Sequence, residues 1–148
     1  MRALVFAWLF ACAISTAPHA QNTSTSAAGH WAGCYDLRVA PKDSEKQTWG
    51  KVPRRVELLT EQVDRKSFPN EFRMNTLDAT GQHWISFWSP QGESAVELIF
   101  STGVVGYHLG LTGTGDLLVG TAEPFSDDGN SHPKFKVTVR RYSCPPLR

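Results

Sequence analysis

The residues of this chain that could do chemistry are few and scattered. Past residue 20 the histidines are His30, His83, His108 and His132. No two stand at the His-x-His or His-x-x-x-His spacing that brings two imidazoles to one metal ion. Ser126-Asp127-Asp128-Gly129-Asn130 gathers two carboxylates and an amide, but it lacks the alternating oxygen ligands and closing glutamate of a calcium loop and reads as a polar turn. There is no Gly-x-Ser-x-Gly elbow, and the acids fall on turns and solvent-side positions. Gly113-Thr114-Gly115 lies between two strand-like runs with no helix pattern after it, so it is not a phosphate cradle. The expectation is a non-catalytic protein without a metal or cofactor.

What remains is aromatic. His83 to Ser89 places Trp84 and Trp88 on one face of an extended segment and Ile85 and Phe87 on the other. With the tryptophans inward, they offer a flat apolar wall to a ligand; with Ile85 and Phe87 inward, two exposed indoles mark a protein-contacting patch. Tyr107 could present its hydroxyl to the same ligand. Trp49, alone in a long loop, could close over it.

The elements that would position these residues alternate with period two. Gly29 to Val39 sets Trp31, Tyr35, Leu37 and Val39 against His30, Cys34, Asp36 and Arg38, and Lys134 to Cys144 repeats the pattern with Phe135, Val137, Val139 and Arg141 on one side. Both cysteines fall opposite the apolar face. Between these runs lie strand candidates at 54–60, 71–77, 83–89, 95–101, 104–112 and 116–125, separated by Gly/Pro/Asp turn signals at roughly 8–12-residue intervals. That makes eight strands, the number at which a closed barrel can hold its own side chains or one small ligand. The first connection, Ala40 to Pro53, is about 14 residues, a length uncommon unless functional.

Met1-Arg2, the apolar run Ala3 to Ile14 and the small residues up to Ala20 read as a signal peptide over 1–20. A disordered polar lead-in over 21–28, holding the sequon Asn22-Thr23-Ser24, comes next, then a barrel domain over 29–144 and a short tail over 145–148. Removing residues 1–20 takes one arginine and no acid from the 15 basic and 14 acidic residues, leaving the charges balanced. That balance excludes a nucleic-acid footprint or a polybasic membrane patch, and no stretch after residue 20 is apolar enough to span a bilayer. Cys34 and Cys144 then remain, and in a secreted or periplasmic chain their default is a disulfide. Two free thiols or a link to another chain are the alternatives.

Gly29-His30-Trp31 at the opening of the first strand, with Arg141 near the end of the last, resembles the lipocalins and the wider calycin group. The resemblance implies an up-and-down barrel sealed at one end by Trp31 with the Arg141 guanidinium stacked on it and donating to carbonyls at the floor. It also implies that the long first loop lids the open mouth. The Thr-Asp-Tyr motif of typical members is absent. The expected protein is an all-β, eight-stranded antiparallel barrel bolted by Cys34–Cys144. It binds a small apolar or amphipathic molecule through Trp84, Trp88, Tyr107 and Trp49. The alternatives are a protein-binding barrel, such as a secreted hydrolase inhibitor, and a small enzyme on the same scaffold.

Overall fold

The computed structural model describes residues 27–64, 70–78 and 83–145. The expected signal peptide over 1–20, the sequon at Asn22 and the lead-in up to residue 26 lie outside them. Eight antiparallel strands form a closed barrel in chain order: β1 (Gly33–Val39), β2 (Arg55–Gln62), β3 (Phe72–Thr76), β4 (Ile85–Pro90), β5 (Ala95–Ser101), β6 (Val105–Thr114), β7 (Leu117–Ser126) and β8 (Phe135–Tyr142). The chain's two ends meet where β1 pairs with β8, Leu37 opposite Val139 and Val39 opposite Val137. Closure leaves no unpaired edge in the wall.

Alternation sends one face of every strand inward, and register stacks those faces into layers. One layer runs Phe72, Trp88, Leu98, Leu109, Ala122, Phe135 across six consecutive strands. A second runs Val96, Leu111, Gly120, Val137, Val39. Large side chains such as Trp88 share a layer with small ones such as Ala122, which is how a narrow barrel fills without voids. The tryptophan face of 83–89 therefore points inward, and the Ile85/Phe87 face points out.

The floor departs from the expected first strand. Residues 27–31 form a helical turn, closed by Ala32 N–H donating to Ala28 O at 3.0 Å, and β1 begins only at Gly33. Ala28 and Trp31, three residues apart on that turn, are both buried, so residues 27 and 28 of the expected disordered lead-in are helical and Ala28 belongs to the core. Trp31 is buried at this end, its Nε1 donating to Gly92 O at 2.9 Å. The ring under the Arg141 guanidinium, however, is Tyr35, with Cζ 5.6 Å from its centroid. The arginine also donates to the His30 and Ala32 carbonyls, as the floor requires. It lies over Gly33, where φ is +140° and a Cβ would come within 3.0 Å of Nη2, so glycine serves here on both counts.

Cys34 and Cys144 are joined, their Cα atoms 5.2 Å apart across 110 residues of chain. Replacing both with alanine is expected to lower stability by roughly 4–5 kcal/mol on the chain-entropy model for a loop of that length. Urea midpoints of the oxidised protein and the double variant check this; equal midpoints would mean that the closed ladder alone holds the ends together.

Candidate functional site

The strand connections split between the barrel's two ends. At the lid end lie the β1–β2 loop, which carries a short 3-10 helix (Pro41–Lys46), and the β3–β4, β5–β6 and β7–β8 connections. The helix is tied to the wall through buried Asp43, whose carboxylate accepts from Lys136 N–H at 3.0 Å and pairs with Lys46 Nζ at 2.8 Å. Beyond it the loop turns inward. Trp49 N–H donates to the Tyr107 hydroxyl and that hydroxyl donates to Gly50 O, both at 2.8 Å. Both functions of the Tyr107 hydroxyl are thereby committed to backbone, and its burial pushes the phenol's pKa up.

The lid end brings together three of the four residues expected to bind a ligand. Trp84 packs on Tyr107 and Phe100, with ring centroids 5.8 and 6.3 Å away, and Trp49 meets Tyr107 through its backbone. Trp88 sits deeper in the barrel, against Phe72. Its Nε1 donates to Leu59 O and Arg73 O, each at 3.0 Å, where the β2–β3 register shifts between Leu58 and Gln62. Trp88 and Tyr107 are 0 % exposed, so both are core closures and not the walls of an open chamber.

The four indoles among the described residues differ in a way that follows their position. Trp31 and Trp88 have backbone acceptors. The Nε1 atoms of Trp49 and Trp84 are buried with no hydrogen-bond partner. A buried donor left unmade costs about 1–3 kcal/mol, so the indoles at the lid are the less completely bonded pair.

A cavity of about 930 Å³ lies outside the wall. Its apolar side is formed by the outward residues Ile85 and Phe87 of β4, Ile99 of β5 and Phe125 of β7. Phe125 leans across Gly106 on β6, where a Cβ would come 2.5 Å from its Cζ and would also strike the Phe100 carbonyl. Glycine is required there by close approach alone. Its polar groups include Glu71, Ser101, His108, Glu123, Lys134 and the β7–β8 segment from Gly129 to His132. Glu123 pairs with Lys134 at 2.7 Å, and His108 Nε2 stands 3.5 Å from Glu97 Oε1, a long contact.

The β7–β8 connection is held by its own side chains. Asp128 accepts from the Ser126 hydroxyl, from Asn130 N–H at 3.0 Å and from Asn130 Nδ2 at 2.7 Å. The Ser126 hydroxyl, first, and the Asn130 donors hold its carboxyl down at about 2. His132 Nε2 lies 3.5 Å from Ser126 Oγ, but the serine proton is directed to Asp128, so the trio orders a loop and does not make a nucleophile. The His132 ring also meets Trp49 edge-on, 4.8 Å between centroids, coupling lid to groove rim. Cys34, Glu57 and Cys144 place potential ligand atoms within 4.8 Å of one another, yet both sulfurs are consumed in the disulfide.

A scan against protein-family models, a search of curated proteins and a search of solved structures each found no match for the chain, so its functional reading rests on the geometry of this lid and groove.

That geometry is open to mutation and to acid. Tyr107→Phe removes the hydroxyl that binds Trp49 N–H and Gly50 O, and should cost about 1–3 kcal/mol while moving Trp49 emission to the red; unchanged emission would show that the lid is held elsewhere. Asp128 titrates lower folded than unfolded, so its contribution is complete above the unfolded value of about 3.9 and is lost as pH falls toward about 2. Trp49 fluorescence should report that loosening through its His132 contact, and Asp128→Asn should abolish the transition.

Proposed function

We propose that this chain is a secreted or periplasmic, non-catalytic barrel that binds a small amphipathic molecule in the groove on its outer wall. One observation carries the reading: the cavity of about 930 Å³ is apolar along β4 and β5 and polar toward β7 and β8. Ligand sites of that size combine an apolar lining with a few placed polar groups. Inside the barrel the inward positions are taken by packed side chains, and Trp49, Trp84, Trp88 and Tyr107 are not among the residues that line the groove. A disulfide suits an oxidising compartment, and no helix among the described residues is long and apolar enough to cross a membrane. The calycin resemblance accords with a binding role, though here the site lies on the other side of the wall.

A second reading, a protein-binding barrel such as a secreted hydrolase inhibitor, draws on outward apolar residues. Ile85, Val104 and Val119 are 50, 57 and 50 % exposed, and scattered exposure of that kind suits a partner surface if the groove takes no small molecule.

The neutral dye N-phenyl-1-naphthylamine should bind the wild type with a fluorescence rise, and Ile99→Glu, which places a charge on the groove floor, should weaken it by at least about tenfold, or ~1.4 kcal/mol. Trp84→Phe should leave the affinity unchanged. Equal binding by wild type and Ile99→Glu would move the site away from the outer wall.

A further inference from the structure

We propose that the polar half of the groove recognises an uncharged saccharide, so that the molecule bound is a sugar joined to an apolar body. This rests on the outer-wall site proposed for the chain and names the chemistry of its ligand.

The cross-strand register fixes the layout. From β4 to β7, one outward row runs Phe87, Ile99, His108, Glu123, and Lys134 extends it through its ion pair with Glu123. The row therefore changes from hydrocarbon to hydrogen-bonding groups within the width of the groove. A neighbouring row runs Ile85, Ser101, Gly106, Phe125, with the Phe125 ring tilted over the glycine. Ring faces and methyl groups suit the C–H faces of a pyranose and its aglycone.

The charges discriminate among head groups. Glu123 and Lys134 neutralise one another at 2.7 Å, while His108 Nε2, 3.5 Å from Glu97 Oε1, makes no hydrogen bond. An anion drawn to Lys134 would meet the Glu123 carboxylate, and a cation drawn to Glu123 would meet the ammonium. At that pair either would lose hydration without gaining a net counter-charge. A hydroxyl both donates and accepts, so a ring of hydroxyls can bond to both members of the pair. The nearby groups add to this mixed set. Ser101 Oγ accepts from Gly103 N–H at 2.9 Å, which leaves its own proton to give. Asn130 directs its amide N–H to Asp128, which leaves its carbonyl oxygen to accept. Among the described residues the group of ligand atoms compact enough for a metal ion is Cys34, Glu57 and Cys144, so the groove carboxylates are not gathered as an ion site.

Three amphiphiles with one tail and different heads separate the possibilities: octyl glucoside, octanoate and octyltrimethylammonium, each titrated below its micelle concentration by calorimetry. The glucoside is expected to bind at least about tenfold more tightly than either ion. Glu123→Ala, at an exposed strand position, should cost the glucoside at least about fivefold while leaving the affinity for N-phenyl-1-naphthylamine unchanged. If the three bind alike, or an ion binds best, while the dye still binds in an Ile99-dependent way, the saccharide assignment is overturned and the groove reading stands. If neither dye nor amphiphiles bind, both are overturned.

Discussion

An eight-stranded barrel has room for its own side chains or for a small guest, and this one has spent the room on side chains. That volume constraint decides where a function can sit. Layers such as Phe72, Trp88, Leu98, Leu109, Ala122, Phe135 run from wall to wall, and burying rings and branched aliphatics is the main source of stability for a domain of this size. Emptying the interior to admit a ligand would forfeit that burial. A function that needs an open, mixed-polarity surface is better placed where opening it costs no core, on the outward faces of β4 to β7.

The two ends of the barrel are closed by different means. At the floor Trp31 donates to the β4–β5 turn, Tyr35 to the Trp31 carbonyl, and Arg141 to the carbonyls that the helical turn leaves open, while the buried Tyr142 hydroxyl has no partner. At the lid a long loop is held by one tyrosine hydroxyl and one buried aspartate, and two indole N–H groups go unmet. The edge contact of Trp49 with His132 joins the lid loop to the rim of the groove.

Much of the architecture is legible in the sequence because period-two alternation is a direct projection of a pleated wall. All eight strands and the disulfide are readable, since turn residues punctuate the chain and both cysteines fall opposite the apolar faces of the first and last strands. The floor is not, because Trp31, Tyr35 and Leu37 share an odd parity and imitate a strand, although Ala28 and Trp31 are also three apart, the spacing of one helical face. Parity sends Arg141 to the floor carbonyls, but its choice of ring depends on Trp31 having left the strand. On β4 both faces are apolar, so alternation alone leaves open whether Trp88 or Phe87 points inward; the answer lies in cross-strand neighbours such as Leu98. The groove is not legible at all, because it exists only once the β7–β8 connection is laid beside residues of β4 and β5.

The proposed outer-wall site predicts that the two sides of one strand respond differently to a nitroxide-labelled octyl amphiphile. Paramagnetic broadening of methyl resonances is the most direct measurement of that difference. Ile85 and Ile99, facing out, should lose intensity in proportion to occupancy, while Leu98 and Leu109, facing in, should keep theirs. Broadening of the inner leucines with the outer isoleucines spared would place the guest inside the barrel and contradict an outer-wall site.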